Sequence, residues 1–319
     1  MGIPVLHYKS TISKPNSPDT SDLQPICLVL GAGGARGLAH LGVMQALAER
    51  QTVVGSMLGV SMGALMSSLC AITGDPQVAT DETLGFLKSS SGRKIRAAVL
   101  AAGGFNQRNR KRTWGKKLFH SLKQQAAFSR AINSKSLLPS TILRDAIDQL
   151  IPDVDIRDVP IDLQIIAVDL ELGRRVVLRE GSLRRAIRAS MSIPGIFPAV
   201  RWDDMWLNDI GNYDTVPCDV ARLEQRFAGK IVAVDVGPDP MQPTVCDSAM
   251  DSMVRASAIA ETIIRQKSLP LADLVIRPKF ESQQWYDFGD LESLIELGYR
   301  EAQNKLAIRV PASSAAQSR

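Results

Sequence analysis

Residues 26–65 read Ile26-Cys-Leu-Val-Leu-Gly31-Ala-Gly-Gly-Ala-Arg36-Gly37, then a helical pattern from Leu38 to Arg50, then Thr52 to Leu58, then Gly59-Val-Ser61-Met-Gly63-Ala-Leu65. An apolar strand runs into a glycine-rich turn, and the turn opens a helix in which Leu38, Leu41, Met44 and Leu47 recur at helical spacing. A second strand, Thr52 to Leu58, and a second helix, Met62 to Ile72, follow; Gly74 is placed to stop that helix. Such a β-α-β-α start predicts an α/β fold of three layers, α/β/α, around a central, mostly parallel sheet.

Two pieces of chemistry sit in this stretch. Backbone N–H groups in the turn after Leu30 lack helical partners and can hold a negative charge. Gly59-Val60-Ser61-Met62-Gly63 is a G-x-S-x-G elbow, in which flanking glycines allow a sharp strand-to-helix turn that exposes Ser61. A nucleophile beside an oxyanion-stabilising nest is what acyl transfer requires. The rival reading, a dinucleotide fingerprint, fits poorly. Its third glycine would fall at Arg36, and no acidic residue ends the next strand near Leu58 to bind a ribose.

The 319 residues are 45% hydrophobic with a net charge of +5, enough for a sizeable core. No apolar run approaches the ~18 to 20 residues of a membrane span. Residues 1–24 are rich in Ser, Thr and Pro and read as a flexible tail, as do 311–319; a single domain is expected over 25–310. The four cysteines show no metal-like spacing, and a reducing cytoplasm is the default expectation. From Thr83 to Arg144 there is no Asp or Glu, while Lys and Arg alternate with apolar residues. This insert reads either as a solvated basic cap or as a surface that docks on anionic lipid, placing the protein peripherally on a membrane. No nucleic-acid recognition motif accompanies it.

Further along, Thr141–Leu150 has amphipathic helical spacing, and Ile161–Leu170 with Arg175–Leu178 read as a hairpin. Ser182–Ser190 reads as a short helix, and residues 200–207 as a second hairpin around Asp203-Asp204. Ile231–Val236 and Leu274–Pro278 are strands, and Asp290–Leu306 a closing helix. A serine nucleophile needs a base, yet the chain has only three histidines. His7 lies in the tail, His120 in the basic insert, and His40 faces inward on an apolar helix, where a structural role is expected. None follows His120, so the chain order of a Ser-Asp-His triad is not available. A carboxylate is the expected base, and Asp169, Asp209 and Asp235 all end strands.

In these parts, taken together, the chain resembles the bacterial patatin-like phospholipases over about Pro25 to Leu306. Gly31 to Gly37 is similar to the family's oxyanion loop, Gly59 to Gly63 to its nucleophile elbow, Ala189-Ser-Met-Ser-Ile-Pro-Gly-Ile-Phe-Pro198 to its Ser/Pro block, and Asp209-Ile-Gly211 to its Asp-Gly motif. Tyr286 to Ala302 is similar to its closing segment. The resemblance implies a patatin-like fold and a lipid acyl hydrolase acting on phospholipid or another lipid ester. Ser61 would be the nucleophile and Asp209 the base of a Ser–Asp dyad. Gly33 and Gly34 amides would form the oxyanion hole, with Arg36 nearby. No metal, no cofactor and no nucleic-acid partner are implied. Ile210 stands where the family has Gly. Were that position to need a left-handed backbone, a β-branched residue there would be strained and hydrolysis weakened, and a degenerate patatin-like domain that binds lipid or a partner without turnover is the alternative.

Overall fold

The computed structural model describes residues 25–103, 136–211, 213–223, 229–238, 245–280 and 283–307. Both expected tails lie outside these residues, as does the part of the basic insert from Arg108 to Lys135. β1 (Ile26–Leu30) sits inside the sheet, flanked by β2 (Val54–Val60) on one side and β7 (Ile231–Val234) on the other. β3 (Asp162–Asp169) extends the sheet beyond β2, and β8 (Leu274–Ile276) extends it beyond β7. These five strands run parallel. β4 (Arg174–Leu178) and the hairpin of β5 (Val200–Trp202) and β6 (Met205–Asn208) add antiparallel strands beside β3. The result is a mixed sheet in the order β5-β6-β3-β2-β1-β7-β8 with β4 on β3.

The near-continuous apolar runs of β1 and β3 follow from burial on both faces. Leu28 and Leu30 point into a large core, and Val29, on the other side, into a smaller one with Leu58, Val60 and Ile166. The larger core is covered by α1 (Ala39–Glu49), α2 (Met62–Thr73), α3 (Pro76–Lys88), α5 (Ser140–Leu150), α6 (Leu183–Met191) and α9 (Leu291–Ala307). The smaller core takes Cys218 and Val220 of α7 (Cys218–Leu223). Because β1 pairs with β2 on one edge and β7 on the other, it marks a switch point of the sheet. Crevices at such points, outside the carboxyl ends of the strands, are where ligands bind in open α/β sheets. Loops after β1, β2 and β7 converge there.

Several expected boundaries move. The second strand ends at Val60, so Ser61 follows it directly, and residues 34–38 coil into a 3-10 turn. The basic insert is not a uniform appendage. Its first part belongs to α3 and to α4 (Ser90–Gly103), whose Ile95 and Val99 face an interior cavity while Arg96 donates to the Phe288 carbonyl at 2.9 Å. A 20-residue helix, α8 (Ala249–Ser268), fills a stretch for which the sequence reading offered no element. No helix among the described residues is long and apolar enough to cross a membrane.

Candidate active site

Register decides which groups meet. Val60 of β2 lies opposite Ile166 of β3, and Asn208 of β6 opposite Val168 on the antiparallel course. One residue further on each strand, Ser61 arriving from below and Asp209 from above reach the same level of β3, beside Ala167. The hairpin that ends in Asp209 thus delivers its carboxylate to the end of β2. Ser61 and Asp209 line one cavity there, and the Ser61 hydroxyl opposes the rise in the Asp209 pKa.

Ser61 has φ 56° and ψ −120°, a backbone that costs a non-glycine residue about 1–3 kcal/mol. Tight packing holds it. A side chain on Gly63 would strike the Leu30 carbonyl at 2.1 Å, and one on Gly59 the Ala64 backbone at 2.5 Å. Only glycine lets the elbow press so closely on β1 and on the start of α2. The Ser61 amide donates to Ser190 Oγ at 2.8 Å, and Ser190 in turn donates to the Ile166 carbonyl at 2.7 Å.

The aspartate side is anchored through the same Ser/Pro block. The Asp209 amide and Asn208 Nδ2 both donate to the Ser192 carbonyl, each at 2.9 Å. The Gly211 amide donates to Asp209 Oδ1 at 2.7 Å. Ser190 and Ser192 therefore tie the two arms together. The block was recognisable in the sequence, but its role was not, since it works through one hydroxyl and one carbonyl. Asp209 is buried, and loss of solvent raises its pKa to about 7 against the opposing hydrogen bonds from Ser61 and Gly211.

In the loop after β1, the Ala32 amide donates to the Thr215 carbonyl and the Ala35 amide to that of Trp285. Gly33 and Gly34 line the same cavity as Ser61 and Asp209, and Arg36, buried, lines it too. Gly34 has φ 56°, and a Cβ there would meet the Trp285 carbonyl at 2.2 Å, so only glycine fits.

Other candidates are used elsewhere. His40 donates Nε2–H to the Gly31 carbonyl at 2.7 Å; burial lowers its pKa to about 4 and keeps it neutral, and it bolts the glycine turn to α1. Asp169 accepts from the Glu171 amide at 3.1 Å, shaping the β3–β4 turn. Asp235 is buried between Arg265, at 3.1 Å, and Arg277, at 3.2 Å. Ile210 corrects an expectation. Among the described non-glycine residues only Gln51, Ser61 and Asp203 have positive φ, so Ile210 carries no left-handed strain. It is buried in the smaller core with Ala32 and Val216.

Ser61 lies where two cavities meet. One, of about 480 Å³, is partly polar and is bounded by Gly33, Gly34, Arg36, Asp209, Glu261 and Gln284. The other, of about 100 Å³, is almost wholly apolar and runs between α2, α3, α4 and α5, past Met66, Phe86, Val99, Ile142 and Ile147.

A serine elbow beside a buried carboxylate, on a mixed α/β sheet, defines the class of protein. The sequence model for the family described as "Patatin-like phospholipase" matches residues 28–222, more than half of the chain, and the chain belongs to that family. It is 28% identical over 250 residues to an uncharacterised NTE family protein of Mycobacterium tuberculosis, a match spanning 76% of this chain and 59% of that protein. It is 28% identical over 302 residues to patatin-like phospholipase domain-containing protein 7 of Mus musculus, covering 86% of this chain and 20% of that protein. The chain thus spans about three-fifths of the first relative and one-fifth of the second. Among solved structures it is similar to VipD from Legionella pneumophila, with 16% identity, a TM-score of 0.46, and coverage of 89% and 67% of the two chains.

Proposed function

We propose that the protein is a lipid acyl hydrolase, a phospholipase or related carboxylic-ester hydrolase, that works through an acyl-enzyme on Ser61. In this reading Asp209 takes the Ser61 proton as the hydroxyl attacks the ester carbonyl. The Gly33 and Gly34 amides face the oxyanion, and Arg36 adds positive charge nearby. Collapse of the tetrahedral intermediate expels the alcohol, which takes the proton from Asp209. Water, deprotonated by Asp209, then attacks the acyl-enzyme; collapse breaks the acyl–Oγ bond, releases the fatty acid, and Ser61 Oγ takes the proton back from Asp209. The apolar cavity suits the acyl chain, and the larger polar one the glycerol and head group.

The observation that carries this reading is the placement of Ser61, on its glycine elbow, beside a buried Asp209 in one cavity, where a carboxyl pKa of about 7 suits a base at neutral pH. The non-catalytic alternative rested on Ile210, and the ordinary backbone there leaves it without support. The remaining basic insert would add attraction to anionic lipid, at about 1 kcal/mol per cation near the surface. A cytoplasmic protein, peripheral on the membrane, is the matching location. Incubating the purified protein with mixed phospholipids and following free fatty acid tests the function. Release that disappears in Ser61→Ala is expected, and no release from any phospholipid or short-chain ester would overturn it.

A further inference from the structure

Helix α8 is built inside out. Its buried side chains are polar: Glu261, Arg265 and Ser268. Arg265 bonds Glu261 at 3.2 Å and Asp235 at 3.1 Å, and donates to the Pro238 carbonyl at 3.0 Å. Glu261 accepts from Thr215 Oγ1 at 2.7 Å, and Ser268 Oγ donates to the Val216 carbonyl at 2.6 Å. An ionic and hydrogen-bonded seam therefore fastens the helix beside the ends of β7 and β8. Apolar side chains do not do so. They lie outside: Met253, Val254, Ile259, Ile263 and Ile264 are between 40% and 68% exposed.

This arrangement inverts the usual amphipathic helix, whose apolar stripe faces the core. Met253, Ala256, Ala260 and Ile263/Ile264 follow one another at spacings of three or four and form one continuous stripe. The stripe itself carries no carboxylate: Glu261 is buried, and half-buried Asp251 accepts from Ser248 Oγ at 2.7 Å in the first turn, while Lys267 is exposed at the other end. Position gives it meaning. Val254, Ser257, Ala258 and Glu261 of the same helix wall the cavity that contains Ser61 and Asp209. Val254 belongs to both the wall and the exposed face, so the stripe continues into the rim of the site.

We propose that the outward apolar face of α8 is the lipid-docking surface of the protein, lying in the head-group region of a bilayer so that the cavity at Ser61 opens directly onto it. Apolar side chains of an interfacial helix enter the boundary between head groups and acyl chains, while its polar side faces away. Here that polar side is spent on the protein itself, which makes α8 a fixed wedge. An ester lifted from the bilayer would pass Val254 into the cavity without crossing water. This proposal rests on the lipid-hydrolase reading for its purpose but not for its test.

The experiment compares the full chain with Met253→Gln/Ile263→Gln/Ile264→Gln, leaving the cavity-lining Val254 in place. Sedimentation with vesicles of phosphatidylcholine and phosphatidylglycerol is expected to show at least tenfold weaker binding for the variant. Hydrolysis of vesicle phospholipid should fall in parallel, while turnover of a water-soluble short-chain ester and the melting temperature stay unchanged. Absence of vesicle binding by the parent, or equal binding by parent and variant, would overturn the proposal. So would a parent dimer that the substitutions dissociate while vesicle binding is unchanged; the face would then join two copies. If no ester is turned over by the parent but vesicle binding is lost in the variant, the docking surface stands and the hydrolase reading fails. Should the triple variant misfold, an environment-sensitive dye on Met253→Cys, in a Cys246→Ser background, reads the same contact. A blue shift on adding vesicles is expected, and an unmoved spectrum would count against insertion.

Discussion

Ser61 and Asp209 stand side by side, yet the loops that carry them are built in opposite ways. At the elbow the backbone is driven to φ 56°, and the glycines on either side are irreplaceable because a Cβ would overlap backbone atoms. After Asp209 the chain has ordinary dihedral angles and turns inward. Ile210 is pressed into a core formed with Ala32 and Val216, and the carboxylate is held by the Gly211 amide. Ser61 is positioned by strain locked in by packing, Asp209 by burial and hydrogen bonds. A glycine beside a functional group is thus compulsory only where φ or a close approach demands it, and the residue after Asp209 meets neither condition.

Substitutions separate the two arms. The largest effect is expected from Ser61→Ala, which should reduce ester turnover by about 10⁴-fold or more while leaving the melting temperature almost unchanged. Turnover within tenfold of the parent would remove the nucleophile assignment. Asp209→Asn should cost about 10³-fold in kcat and yet stabilise the fold at pH 8. The sign follows from linkage. A carboxyl with a folded pKa of about 7, above its unfolded value, binds more protons folded than unfolded, so its contribution favours folding in acid and is lost as pH rises toward 7 and beyond. Removing the charge should recover on the order of 2–4 kcal/mol above pH 7, read as a higher denaturation midpoint. A variant less stable than its parent at pH 8 would mean that Asp209 is not a buried, destabilised anion.

A smaller, graded effect comes from pH. With Asp209 as base, kcat/KM should fall about tenfold per unit below pH 7 and level off above it. A flat profile between pH 5 and 8 would exclude a carboxylate with this titration. The smallest effect on rate concerns Ile210. Ile210→Gly removes a buried side chain and should destabilise the protein by about 2–5 kcal/mol without raising turnover. A faster enzyme at matched folding would show that the β-branched residue holds the loop back after all.

The same contrast explains what could be read in advance. Patterns with a local cause were legible: the apolar run of β1, the elbow glycines, and the stop at Gly74, which takes φ 67°. So was the structural place of His40, which its apolar neighbours mark as inward-facing. Ser190 and Ser192 were visible only as members of a block. Their partners Ser61, Ile166 and Asp209 are set by tertiary register, which no local pattern encodes. α8 is hidden in the sequence for a different reason. Ser248 and Asp251 give it a start signal, with the Asp251 amide donating to Ser248 Oγ at 3.1 Å. Its apolar stripe, taken at face value, would have been assigned to a core, whereas the structure buries Glu261 and Arg265 instead. Likewise the lack of acid between Thr83 and Arg144 suggested a surface throughout, while α3 and α4 supply apolar walls to the cavity beside Ser61.

The central claim, a serine activated by a buried carboxylate, is tested most directly by labelling with a fluorophosphonate and mapping the modified residue by mass spectrometry across pH 5 to 9. The account predicts a single adduct on Ser61, formed at a rate that climbs through about pH 7, and no adduct in either Ser61→Ala or Asp209→Asn. An adduct on another serine, or unchanged labelling of Ser61 in Asp209→Asn, would contradict it.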